Sequence, residues 1–337
     1  MQKQKLFVAL VGYGYWGKRL FKTLKKFQSV SIVAVCDKNQ RVLNGLQSLG
    51  SGVQFVTNKY RDVVSNKDIN AVVIATPQET HYQIAKASLQ SGKHVLLEKP
   101  MTTKKRHART LNKLADKNKL ILMIDHTYLY APEIRAAKQI IGSGALGDIR
   151  LIETARAGPG QYKHDCDVIW DFAPHDISIL YYLLGIPIEL SAIHSCKLNQ
   201  HRIDISNLSF KFANGCDAYV YLSWLSPIKL RRILIIGAKK TLMIEQTGIT
   251  SKIDIYSNSY YLKQSNQTDK YRRRVKNVQR LSGLPYSEPL RNVCHEFVQS
   301  ISGRTQPLSN GHLGYKIVSI MLAIHRLQRH SSRLTLN

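Results

Sequence analysis

Through the first 125 residues, unbroken apolar runs alternate with stretches that mix apolar and polar side chains. The apolar runs are Leu6 to Val11, Ser31 to Cys36, Ala71 to Ala75, His94 to Glu98 and Leu120 to Asp125, with a shorter one at Val53 to Val56. Between them, Lys18 to Phe27, Arg41 to Leu49, a segment capped by Thr80 that runs to Ser91, and Lys104 to Lys117 read as helices. A run without a polar face suits a strand buried on both sides, and repeated strand–helix units of this kind build a parallel sheet wrapped by helices. Ligands of such sheets gather where the strands end. Thr76-Pro77, Glu98-Lys99-Pro100 and Asp125-His126 are therefore expected to line one crevice.

Near residue 145 the pattern changes. Strand-like segments now follow one another: Ile149 to Thr154, Ile188 to Cys196, Ser206 to Phe212, Asp217 to Trp224, Arg231 to Ile236 and Thr241 to Glu245. Apolar and polar residues alternate within them, as in Asp217-Ala218-Tyr219-Val220-Tyr221-Leu222, which suits an antiparallel sheet covered on one face. A helix from Asp171 to Leu184 interrupts the series, and helices over Pro289 to Ser302 and Gly311 to Arg329 close the chain. Ser257 to Asp269 is polar enough to read as a mobile loop. The expected fold class is α/β: a Rossmann-type doubly wound parallel sheet over 1–126, then an α+β domain over 127–337 with an open, mainly antiparallel sheet.

The first run leads straight into Gly12-Tyr13-Gly14-Tyr15-Trp16-Gly17 and a helix. In a strand–turn–helix of this form, the first glycine permits the tight turn and the second lets the backbone approach a pyrophosphate. The third lets the helix pack on the strand, so the N–H groups at the helix start can face phosphates. The next strand ends at Asp37, twenty positions beyond Gly17. A carboxylate there accepts from both ribose hydroxyls of NAD and repels the 2′-phosphate of NADP. NAD is the expected cofactor. NADP stays as the alternative, because Lys38 would meet a phosphate if the carboxylate swung away. Trp16 is placed either beside the cofactor or in a plain core contact.

Composition narrows the picture. With 337 residues, 44% of them hydrophobic, the chain can fill two cores. Met1 to Lys5 runs directly into the first strand, which leads to an expected cytoplasmic location without membrane insertion. The five cysteines are odd in number, widely spaced and never arranged as C-x-x-C, which argues for reduced thiols. His164, Cys166 and Asp167 lack the second ligand pair a structural metal site needs, so no metal is expected. The formal charge of +27 is concentrated at Lys18 to Lys26, Lys104 to Arg106, Arg272 to Arg280 and Arg326 to Arg333. Such a field attracts anions, but no nucleic-acid-binding motif accompanies it, and a specific nucleic acid is not expected.

Three motifs in this order, the glycine turn, Glu98-Lys99-Pro100 after a strand, and Trp170-Asp171-Phe172-Ala173-Pro174-His175-Asp176 in the second part, resemble the Gfo/Idh/MocA family of sugar and cyclitol oxidoreductases. The likeness extends to Ile74-Ala75-Thr76-Pro77 with Thr80-His81, Gly92 to Pro100, Pro289-Leu290-Arg291 and Pro307 to Gly314. It implies that Lys99, Asp171 and His175 are catalytic. It also implies that Gly12, Tyr13, Gly14, Tyr15, Trp16, Gly17, Asp37, Lys38, Thr76, Pro77, His81, Glu98 and Lys99 surround the cofactor, and that the Lys99–Pro100 bond is cis. The chemistry agrees. Oxidising a secondary alcohol sends a hydride to nicotinamide and a proton to a base, a role that histidine fills near neutrality. Asp171 and His175 are i and i+4 on a helix and share a face, and Lys99 can stabilise charge on the substrate oxygen. The duller readings are a surface lysine, a helix-stabilising pair and a capping Asp171.

Tyr15-Trp16-Gly17, Val168-Ile169-Trp170-Asp171 and Ser223-Trp224-Leu225 look like a branch of the family linked to nucleotide-sugars, which implies chemistry at C3 of a UDP-linked N-acetylated hexose or hexuronate. His126, Tyr128 or Tyr130, Trp170 and Arg272 are candidate substrate contacts, and the Arg272 cluster has the charge to hold a diphosphate. Asp125 stands where many relatives carry glycine, and Ala131 where this branch often has asparagine. The alternatives are an inositol or free-sugar dehydrogenase and a non-catalytic ligand-sensing regulator. An open second sheet would need its other face covered, so a homodimer or homotetramer is expected.

Overall fold

The computed structural model describes residues 5–48, 52–159, 166–198, 202–247, 250–263, 270–281 and 287–330. The elements run β1 (Leu6–Val11), α1 (Tyr15–Leu24), β2 (Val30–Cys36), α2 (Gln40–Ser48), β3 (Phe55–Thr57), α3 (Tyr60–Ser65), β4 (Ala71–Ile74), α4 (Gln78–Gln90), β5 (His94–Glu98), α5 (Lys105–Asn118) and β6 (Leu122–Asp125). A short 3-10 turn (Thr127–Tyr130) leads to α6 (Pro132–Gly142), β7 (Ile149–Ala157) and α7 (Val168–Leu184). Then come β8 (Pro187–Cys196), β9 (Ile205–Phe212), β10 (Asp217–Ser223), β11 (Leu230–Gly237), β12 (Lys240–Thr247), β13 (Thr250–Lys263), β14 (Lys270–Arg280), α8 (Pro289–Gly303) and α9 (Gly311–His330).

The contacts divide the chain into two units, 1–130 with 287–322 and 131–286 with 323–337. The division differs from a single cut at 126/127 because the chain returns. In the first unit, Ser309 accepts from Ile124 N–H through its carbonyl at 2.8 Å and donates from Oγ to the Ile124 carbonyl at 2.6 Å, extending the edge of β6. Val293, Cys294 and Phe297 of α8 are fully buried, and Val318 of α9 joins the core of this unit.

The first sheet has the order β3-β2-β1-β4-β5-β6, and every pair in it is parallel. The order reverses between β1 and β4, where a doubly wound sheet opens its crevice. The core of β1, β4 and β6 is sealed on both sides, as their unbroken apolar runs require. Gly12 (φ +93°) closes the turn after β1, and a side chain there would lie 2.5 Å from the Ala75 carbonyl oxygen.

The second unit holds an eight-stranded sheet, order β14-β13-β12-β11-β7-β10-β9-β8, antiparallel except for the β7–β10 pair. α7 packs on β7, β9 and β10, and the alternating residues Leu208, Phe210, Ala218, Val220 and Ile233 are buried. Successive side chains of a strand point to opposite faces, so Glu153, Asn207, Tyr219, Tyr221 and Arg232 come together elsewhere, in a shallow hollow of about 620 Å³. Two readings need correction. Ser257 to Lys263 belongs to β13, paired with β14, because a polar segment at the margin of a sheet can satisfy its backbone through a ladder; 264–269 lie outside the described residues. Thr80 is not a cap. α4 begins at Gln78 after Pro77, and Thr80 Oγ1 bonds Thr76 Oγ1 and the Pro77 carbonyl, both at 2.7 Å.

Candidate functional site

In the first unit, six of the expected cofactor residues, Gly12, Gly14, Asp37, Lys38, Thr76 and Pro77, line one cleft of about 350 Å³. α1 begins at Tyr15, with Gly14 as its N-cap and no side chain capping it. The first backbone N–H groups of the helix thus have no partner within it and form a seat for an anion. Gly17 lies inside the first turn, so close to the Gly12 carbonyl that no side chain fits. The Asp37 carboxylate is held from two sides: Tyr13 N–H donates to Oδ2 at 2.6 Å and Asn39 N–H donates to Oδ1 at 2.8 Å. Two backbone N–H groups thus hold the carboxylate in place. Asn58, Tyr60, Glu79 and Gln83 also line the cleft and were missed. Asn58 directly follows β3, and this strand-end position is the signal that could have found it.

Tyr15 and Trp16 are exposed, 70% and 37%, with their rings edge to face and the Arg19 guanidinium 5.1 and 5.3 Å from the two ring centres. This excludes the core contact for Trp16. Tyr13 is different: its ring meets Phe21 edge to face, and burial pushes its phenol up.

The Lys99–Pro100 bond is cis. His81, 1% exposed, has Nδ1 2.8 Å from the Pro100 carbonyl oxygen and Nε2 2.9 Å from that of Thr76, so it joins the loops after β5 and β4. Burial, the largest influence on this ring, pushes its pKa down against the pull of the two carbonyls. A neutral imidazole donates to only one of them.

Beside Lys99, the ends of β5 and β6 bring Glu98 and Asp125 into register, both buried. Burial, followed by the neighbouring Asp125, pushes Glu98 well above the usual carboxyl range, and burial also pushes Asp125 up. His126 is 1% exposed, with no hydrogen-bond partner for either ring nitrogen among the described residues, and burial reinforced by Lys99 pushes it down to about 3. It is a neutral ring. Tyr128 is half-buried on the 3-10 turn, whereas Tyr130 is a packing residue, its hydroxyl 2.9 Å from Ser309 Oγ.

In the second unit, the cap of α7 is Asp167, which accepts from Trp170 N–H at 2.9 Å. Asp171 is therefore relieved of that duty. It sits in the first turn, 8% exposed, and accepts from Trp224 Nε1 at 3.3 Å. His175 follows one turn later and is half-buried, so both project from one side of α7. Asp176, on another face, forms a buried ion pair with Arg156, at 2.6 Å from Nε and 3.3 Å from Nη2. This pair ties α7 to β7. Trp170 is half-buried. Arg272 lies on β14, and its side chain falls outside the described residues, as does His164 of the weighed metal cluster. No group of metal-binding side chains occurs among the described residues, and none of the described helices is long and apolar enough to cross a membrane.

Comparison with known proteins fits this anatomy. Residues 6–126 match the Gfo/Idh/MocA oxidoreductase family with its NAD-binding Rossmann fold, and residues 134–243 match the Gfo/Idh/MocA C-terminal domain. The UDP-N-acetylglucosamine 3-dehydrogenase of Acidithiobacillus ferrooxidans is 29% identical over 170 residues, 50% of this chain and 53% of that protein. The scyllo-inositol 2-dehydrogenase (NADP(+)) of Bacillus subtilis is 25% identical over 170 residues, 47% of each. The chain spans about half the length of the curated relatives it matches first. A solved levoglucosan dehydrogenase in complex with NADH superposes with a TM-score of 0.80 at 19% identity, covering 97% of this chain and 98% of that one. With the glycine turn, the parallel sheet and the open second sheet all in the order these matches require, the chain belongs to the Gfo/Idh/MocA oxidoreductase family.

Proposed function

We propose that the protein is an NAD-dependent oxidoreductase that moves a hydride between nicotinamide and a secondary hydroxyl or keto carbon of a sugar, a UDP-linked N-acetylated hexose or hexuronate reacting at C3. The observation that carries this reading is the doubly pinned Asp37 at the rim of a cleft floored by Gly12 and Gly14. A fixed carboxylate suits two ribose hydroxyls and opposes a 2′-phosphate. The uncapped start of α1 suits the pyrophosphate. Bound there, nicotinamide would supply the hydride acceptor or donor.

The chain's own residues do the rest. His175 takes the hydroxyl proton in oxidation and returns it in reduction. Asp171, held by Trp224, orients the imidazole or the sugar. Lys99 donates to the reacting oxygen and stabilises the charge that grows on it. The nucleotide-sugar preference draws on the relative 29% identical over half the chain and on the charge of the Arg272 cluster. The open face of the second sheet suits a homodimer or homotetramer.

NAD and NADP reduction should be measured across UDP-sugars, free aldoses and inositols, for wild type, Lys99→Ala and His175→Ala. Turnover with a UDP-linked N-acetylated sugar and NAD is expected, reduced about 10²–10⁴-fold in either variant. Turnover confined to inositol would support the cyclitol alternative. No turnover anywhere, with tight sugar binding, would favour the ligand sensor.

A further inference from the structure

Glu98 and Asp125 stand side by side at the ends of parallel neighbours, 9% and 1% exposed. Each carboxyl has one oxygen satisfied locally. Lys99 N–H donates to Glu98 Oε2 at 3.2 Å, and Thr127 Oγ1 donates to Asp125 Oδ1 at 2.7 Å. The other two oxygens, Glu98 Oε1 and Asp125 Oδ2, are buried, and no N–H or hydroxyl of the described residues donates to them. Two ionised carboxylates have no proton to offer and repel. Because the two are register partners on adjacent parallel strands, burial together with their mutual repulsion opposes ionising both, and one proton held between them relieves the pair.

The charged and titratable neighbours agree on one residual negative charge. Lys99 is the cation whose field reaches both carboxyls. His126 on the β6 side is neutral, and burial disfavours a charge on His81 of α4 against the pull of its two carbonyl neighbours. Cys294 on α8 is kept a thiol, by burial first and then by Asp125, Glu288 and Glu98. A half-buried ammonium among neutral groups would lose its proton more readily than in water, and an adjacent anion offsets that loss.

We propose that Glu98 and Asp125 work as a single monovalent anion, two carboxyls sharing one proton, which keeps Lys99 in its ammonium form; Asp125 is thus a positioning residue for Lys99. The inference rests on the reading of Lys99 as the group that meets the reacting oxygen. The proton belongs to the pair, and removing either carboxyl by amide substitution leaves the other ionised with an amide donor beside it. The charge next to Lys99 then survives each single substitution and disappears only in the double one.

The test uses the full-length protein. Infrared difference spectra at neutral pH should show the carbonyl stretch of a protonated carboxylic acid in wild type, absent from both Glu98→Gln and Asp125→Asn. A band that persists in either variant, or that wild type lacks, overturns the shared proton. Acylation of the Lys99 amine, mapped by mass spectrometry across pH, should keep its midpoint in each single variant and fall by about one unit in the double variant, a tenfold rise in neutral amine. An unmoved midpoint in the double variant overturns the positioning role. If the double variant fails to fold, the infrared comparison of the single variants still decides. A Lys99→Ala protein with full turnover would sink the catalytic reading of Lys99 without touching the infrared result, so the two failures are told apart.

Discussion

The two sheets carry chemistry in different ways. In the parallel sheet of the first unit, both faces are sealed and only the strand ends are available. Gly12, Asp37, Thr76, Glu98, Lys99 and Asp125 all sit at or just beyond a β-strand's carboxyl end. In the second unit, the sheet contributes a floor. Its candidate chemistry rides on α7, which covers one face, while the other face exposes Tyr219 and Tyr221. A sheet sealed on both faces fixes its site through the turns at its strand ends, where Gly12 and Gly17 leave no room for a side chain, and a sheet with one open face fixes its site through the contacts that seat a helix.

The sharpest way to break that comparison is to loosen α7. Asp176→Ala leaves the Arg156 guanidinium, 4% exposed, without its carboxylate. Breaking one partner of a buried pair costs about 3–5 kcal/mol, to be read from urea unfolding as a fall in midpoint with little change in slope. A loss below about 1 kcal/mol would mean that the apolar contacts of α7 alone seat it. A smaller effect is expected at the strand-end cleft. Asp37→Ser removes the carboxylate that Tyr13 and Asn39 hold. The ratio of kcat/KM for NAD to that for NADP should fall by about tenfold or more, equivalent to about 1.4 kcal/mol. An unchanged ratio would show that Asp37 only braces the turn. The smallest effect belongs to the open face. Tyr219, 48% exposed, should tolerate Tyr219→Ala within about 0.5 kcal/mol of stability. Light scattering on the same variant checks whether this face is covered by a second copy, which would show as a shift to smaller species.

Much of the first unit was legible because its signals are local. A continuous apolar run can only be a doubly buried strand or a buried helix, and the glycines and Asp37 sit at fixed distances from it. Where the reading failed, non-local pairing decided. Ser257 to Lys263 looks like a loop, yet β13 forms because β12 and β14 offer it ladders on both sides. The basic run at Arg272 lies on β14, the last strand of its sheet among the described residues. The motif that marked His81 as a cofactor residue gave no hint that its ring also joins two loops through the Pro100 and Thr76 carbonyls.

The sequence alone determined what depends on neighbours a few residues apart: strand and helix periods, the tight glycine turn, the carboxylate at the end of β2, and the one-turn spacing of Asp171 and His175. Only the tertiary structure decided what depends on burial and on pairing between distant segments. It made Asp167 rather than Asp171 the cap of α7, returned Ser309 to the edge of β6, and set Glu98 against Asp125 across two strands. The reason is physical: a side chain's charge state and partners follow from the dielectric and donors around it, and those are supplied by residues far away along the chain.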